Sequence, residues 1–227
     1  MYNKLAPGRQ SCYPRSVSSR ASFVRDPDNR RLALMDACAA GLAEDGASGV
    51  SVRGICARAG VSAGLLRHYF DGIDDLIART YAHVAAQVNA ALQAAVAAAG
   101  PAPVARLRAF VTASFLPPVA TPGLLATWLA FWSLVKTRPE IAALHREIYS
   151  ASLAELETLL RAAGVAEGDV RLAAIAVTAL VDGLWLELSL DAGAFTPAEA
   201  GALADRWLAA WLPGSLPREG VCAPQPG

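Results

Sequence analysis

A chain of 227 residues, 54% of them hydrophobic, carries enough apolar surface for one large domain or two small ones. Its 20 basic and 20 acidic side chains cancel, which excludes a globally basic nucleic-acid coat but not a locally basic surface. Cys12, Cys38, Cys56 and Cys222 are scattered and form no Cys-x-x-Cys pair, so they read as reduced thiols of a cytoplasmic protein, not a disulfide or zinc framework.

Residues 1–26 are polar and aperiodic and carry Lys4, Arg9, Arg15, Arg20 and Arg25 without an apolar run. They read as a disordered basic arm, either a plain tail or a segment that touches DNA, and not as a secretory signal. From Pro27 the pattern turns helical. Leu32, Met35, Ala39 and Leu42 predict a helix over 28–45, closed by Asp45-Gly46. Ser51 caps a second helix over 52–59, and Gly60 ends it as a left-handed residue. Ser62 caps a third over 63–69, and Asp71 to Asp75 set negative charge at the start of a long fourth one ending near Ala99.

Further helices are expected near 103–116, 122–136, 139–163, 168–191 and 197–212, punctuated by proline and glycine. The apolar run Leu172–Leu190 is interrupted by Asp182, Gly183 and Glu187, so it reads as a buried helix and predicts no membrane contact. No stretch alternates with period two. The expected fold class is all-α with about nine helices: a helix-turn-helix head over 27–72, a helical bundle over 73–212, and a fraying tail over 213–227.

The two short helices around Gly60 form a helix-turn-helix unit, in which only the first turns of the second helix need reach base edges. Ile55, Val61, Leu66 and Phe70 would hold the unit together, leaving Ala63, Gly64, Leu65, Arg67 and His68 outward. Arg67 suits guanine, Ala63 and Gly64 permit close approach, and Leu65 could touch a thymine methyl. Ser62, Arg53 and Tyr69 suit phosphate. Geometry alone leaves DNA binding open, because such units occur elsewhere and residues 28–79 hold six basic against seven acidic side chains.

Ser51-Val52-Arg53-Gly54-Ile55, Ala59-Gly60-Val61-Ser62-Ala63-Gly64, His68-Tyr69-Phe70 and Leu76 keep a common spacing. The stretch resembles the DNA-binding head of the tetracycline-repressor (TetR) family over about 28–80. The resemblance implies a homodimer on a palindromic operator in double-stranded DNA, with Arg53, Ser62, Arg67 and Tyr69 at contact positions. It also implies a phosphate-gripping lysine at the start of the fourth helix, where this chain has Ile73.

The remainder is similar to the choline-responsive BetI branch, through Trp128-Leu129-Ala130-Phe131-Trp132 and Ala179-Leu180-Val181-Asp182-Gly183-Leu184-Trp185-Leu186. Trp128, Phe131, Trp132 and Val135 share one helix face, the spacing of plain core as much as of a site. If a bundle brings Trp128, Phe131, Trp132 and Trp185 near Asp182, aromatic faces beside a carboxylate suit a cationic or aromatic effector. A buried Asp182 needs a partner, and Arg146, Arg161 or a bound cation are the candidates. Leu172, Ile175, Ala179, Leu186, Leu203, Trp207 and Trp211 exceed what one core needs and predict a dimer face. His68, His83 and His145 are far apart, with no triad order, metal-ligand spacing or phosphate-cradling loop, so no catalytic residue, metal or cofactor is expected. The chain reads as a sequence-specific regulator of transcription rather than an enzyme.

Overall fold

The computed structural model describes residues 27–191 and 193–212. The arm, the tail, Cys12 and Cys222 lie outside the described residues. Every regular element described is a helix: α1 (Pro27–Gly49), α2 (Val52–Ala59), α3 (Ala63–Tyr69), α4 (Ile73–Ala98), α5 (Pro103–Ala113), α6 (Pro122–Val135), α7 (Pro139–Ala162), α8 (Glu167–Leu190) and α9 (Pro197–Ala209).

Local signals set the head. α1 breaks where Gly46 takes φ 67°, then continues for a few residues to Gly49. The Ser51 hydroxyl accepts the Gly54 N–H at 3.2 Å and starts α2. Gly60, at φ 64°, donates to Ala57 O while Val61 donates to Cys56 O, which closes α2 with the left-handed turn that glycine adopts cheaply. Ser62 Oγ then accepts the Leu65 N–H at 3.2 Å and opens α3. Ile55, Leu66 and Phe70 are buried with Leu34, Cys38, Leu42, Leu76 and Ile77, and Val61 is half-buried against them. Burial pushes the Cys38 thiol up to about 11, so it stays protonated at neutral pH.

α4 is the spine. Its apolar residues from Leu76 through Tyr81, Val84 and Val88 to Val96 are buried, and at 26 residues it reaches roughly 39 Å. It starts in the head and ends in the bundle. α6 packs lengthwise along α1, the most extensive helix pair in the structure. Thr127 Oγ1 reinforces that pair by donating towards Ala39 O at 3.1 Å and Gly123 O at 2.8 Å.

α5 ends at Ala113, three residues before its predicted end, and a string of turns through Ala120 leads to α6. α8 is long and apolar enough to cross a membrane by length and composition alone. It buries Val170, Ala173, Ala174, Val177, Trp185 and Leu188, while Leu172, Ile175 and Leu190 stay exposed. The expectation of a buried helix is met on one face, while Leu172 and Ile175 lie on the other, among the residues in excess of one core.

Candidate functional site

The head presents α3 as a short, exposed helix. Ala63, Gly64, Arg67 and His68 are exposed, Leu65 and Tyr69 are half-buried, and Arg53 is exposed near the start of α2. Tyr69 packs against the head core, with its ring edge-on to His68 at 5.0 Å. Ser62 spends one lone pair on the Leu65 N–H, yet its O–H is left to donate. Arg58, the other cation of α2, pairs with Glu44 through its two terminal guanidinium nitrogens at 3.0 and 2.7 Å, so it is tied to α1.

The acidic segment after α3 is less exposed in charge than its composition implies. Asp75 accepts the Asp71 N–H at 3.1 Å and pairs with Arg79 at 2.7 Å. Asp74 pairs with Arg138, which arrives from the turn between α6 and α7. Ile73 is half-buried against the head core. Where the TetR pattern has a cation, this chain has an apolar anchor.

Behind the head lies a cavity of about 680 Å³, walled by α4, α5, α6, α7 and α8. Its mouth runs between α4 and α7, where Ala82, Ala86 and Asn89 face Glu147, Ala151 and Ser152, all exposed. Its inner end is aromatic. Trp128 meets Trp185 edge-to-face at 5.7 Å, and Trp185 is pinned by its N–H donating to Ser114 O at 2.9 Å. Asp182 lies beside them and accepts the Tyr149 hydroxyl at 2.5 Å. Its partner is therefore a tyrosine, not Arg146 or Arg161. Arg161 lies more than three turns further along α7 and pairs with Glu157 and Glu167.

Burial raises the Asp182 carboxyl to about 6, against the Tyr149 hydrogen bond, which lowers it. Burial, then the Asp182 charge, pushes the Tyr149 hydroxyl far up, so it remains a donor. Of the five residues predicted for this site, Trp128, Asp182 and Trp185 line the cavity; Phe131 and Trp132 do not. Phe131 is fully buried behind it, stacked on Tyr81 at 4.4 Å, and Trp132 is half-buried one turn beyond Trp128.

Sequence reasoning missed Tyr149, Glu147 and Glu155 on α7 and the Tyr81–His145 pair. Tyr81 OH and His145 Nδ1 share a hydrogen bond at 2.9 Å, and the His145 ring lies 4.2 Å from Tyr149. Burial, then the Arg146 cation, lowers the His145 pKa, which favours a neutral imidazole. The i, i+4 spacing of His145 and Tyr149 on a helix was the available signal.

Residues 34–80 match the family model of bacterial regulatory proteins, tetR family, and residues 103–213 match that of the BetI-type transcriptional repressor C-terminal domain. The HTH-type transcriptional regulator BetI of Burkholderia thailandensis is 37% identical over 183 residues, 79% of this chain and 91% of that protein. A transcriptional regulator of Pseudomonas aeruginosa PAO1, of solved structure, superposes with a TM-score of 0.74 at 40% identity, covering 83% of this chain and 93% of that one. A regulator from Saccharomonospora viridis, crystallised in complex with choline, shares the fold at a TM-score of 0.69 and 18% identity, over 80% of this chain and 96% of that one. A three-helix head with an exposed α3, joined by α4 to a BetI-type helical domain, makes this chain a member of the TetR family, a DNA-binding regulator of transcription and not an enzyme.

Proposed function

We propose that the protein is a cytoplasmic homodimer that represses transcription from a palindromic operator and is released when a small molecule fills the cavity behind the head. Arg67 reads a base edge from α3, with Ala63, Gly64, Leu65 and His68 along the same groove. Arg53, Ser62 and Tyr69 hold phosphates. The head spans 27–72 and the sensing and dimerising part 73–212.

The observation that carries this reading is the sharing of walls. α4 lines the cavity from Ala82 to Gln93 and begins packed against the head's core. α6 lines it with Trp128, while the adjacent Thr127 bonds to α1. An occupant that moves either wall moves the head, and half-sites one helical turn apart then no longer fit both copies of α3.

The dimer reading rests on one stripe. Leu172, Ile175, Ala179, Leu186 and Leu190 recur along α8 with their side chains exposed or half-buried, beside exposed Leu203 and half-buried Trp207 on α9. A second copy of that surface would cover it. The aromatic and acidic inner end of the cavity favours a cation as effector.

A gel-shift with DNA from beside the protein's own gene tests the proposal, using choline, which the Saccharomonospora regulator holds, as the first probe. Retention without the probe and release with it is the expected result. No retained fragment at low salt overturns the operator reading. Retention insensitive to every cation and neutral metabolite tried overturns the effector reading.

A further inference from the structure

The cavity is much larger than a single ammonium group needs, and its charge is distributed at two levels. We propose that its occupant is an elongated organic dication, of the linear diamine or polyamine class, which places one positive centre at Asp182 and a second at Glu155. This rests on the reading of the cavity as the effector site.

Every ionisable group that lines the cavity is an acid: Asp182, Glu147, Glu155 and the phenol of Tyr149. Lysine, arginine and histidine are absent from the lining, so an anionic occupant would meet no counter-charge. A volume of about 680 Å³ falls in the range that encloses drug-sized ligands. Asp182 marks the inner level, flanked by Trp128, Trp185 and Tyr149, whose ring faces suit a cation.

Glu155, half-buried in the α7 wall, marks the second level. It takes part in no ion pair among the described residues, in contrast to Glu157, which pairs with Arg161 and Arg171. Tyr149, which holds Asp182, and Glu155 are six residues apart on α7, so the two levels are separated by roughly 9 Å along the helix. Val88, Leu92, Ile148 and Leu156 give the same lining apolar surface. A chain of methylenes with an ammonium at each end matches that set of surfaces. A lone quaternary ammonium would satisfy the inner level and leave Glu155 and the apolar wall unused.

The test compares hexylamine, 1,6-diaminohexane and spermidine by calorimetric titration of the full-length protein at low salt, alongside choline. The diamine should bind about tenfold or more tighter than the monoamine, the scale of one added partly shielded charge pair. In Glu155→Gln the diamine should fall to the level of the monoamine, whose own affinity is retained, which also verifies that the variant folds. Asp182→Asn should weaken both. Equal binding of mono- and diamine, a diamine advantage that survives Glu155→Gln, or no binding of any amine overturns the proposal. If choline alone binds and releases the operator, the effector site stands and the two-charge reading falls. If the diamine binds with this charge dependence but leaves operator retention unchanged, the dication site stands and the effector reading falls.

Discussion

Replacing Asp182 by asparagine should stabilise the protein at neutral pH, and do so only there. The carboxyl is raised from its ordinary 3.8 to about 6, and burial is the main cause. A shift of about 2 units corresponds to about 3 kcal/mol of preference for the protonated form in the folded state. The folded pKa lies above the unfolded one. The stability linked to that proton is therefore fully present below about pH 4, is lost as pH rises through about 6, and is absent above. At pH 7.5 the wild type thus carries a buried charge that asparagine lacks. Asparagine keeps an oxygen for the Tyr149 hydroxyl but buries an amide N–H₂ group, at a cost of about 1 kcal/mol or more. The net expectation is a gain of about 1–2 kcal/mol at pH 7.5, or a Tm higher by about 2–8 °C. Thermal unfolding followed by circular dichroism from pH 4.5 to 8, on the ligand-free protein, reads this directly. The two melting curves should converge towards pH 4.5. A variant less stable than wild type at pH 7.5, or a Tm difference constant across that range, would refute the placement of an unpaired carboxylate at the cavity's inner end.

Three further outcomes follow from the same geometry. Arg67→Ala should cost about 1–3 kcal/mol on the operator and relax specificity there, whereas Arg53→Ala should weaken all sequences alike and reduce the salt slope by about 1; equal losses of Arg67→Ala on specific and random DNA would mean that it grips phosphate. Ile73→Lys should restore a backbone contact, steepening the dependence of log affinity on log salt by about 0.9 in filter-binding titrations, and an unchanged slope would show that α4 stays clear of DNA. Binding of choline or a diamine needs the ionised form of Asp182, so affinity should be flat above about pH 6.5 and fall towards pH 5, while a pH-independent affinity in calorimetry would place the cation elsewhere.

The head was legible because its signals are short-range. Ser51, Gly60 and Ser62 each act on a backbone group within four residues, so the ends of α2 and α3 could be read from them directly. The surroundings of the acidic run after Phe70 were not legible, for the opposite reason. It counts towards the seven acidic side chains against six basic ones, but Asp74 is met by Arg138, 64 residues later, and Asp75 turns back to the Asp71 N–H and Arg79. Charge composition cannot show a partner that only the fold delivers. The same holds for Asp182, for which an arginine or a bound cation was expected. A tyrosine hydroxyl satisfies an acceptor without bringing a second charge out of water, the cheaper solution in a half-buried site.

Which residues of a helix face line a cavity was the other illegible quantity. Periodicity placed Trp128, Phe131 and Trp132 on one face of α6, but only Trp128 lines the cavity. The structure repays that loss with a connection that no periodicity contains. Thr127 and Trp128 are consecutive, so their side chains leave α6 about 100° apart. One bonds to the backbone of α1 and the other meets Trp185 at the cavity's inner end. A rigid helix cannot turn one of these side chains without turning the other. Tyr81 gives α4 the same double duty: it is fully buried, stacked on Phe131 of α6 and bonded to His145 of α7. The two helices that touch the head are thus linked to each other through Tyr81, which also meets Trp128 edge-on at 5.5 Å. In the proposed release, a ligand that displaced Trp128 by shifting α6 would carry α4 and α1 with it.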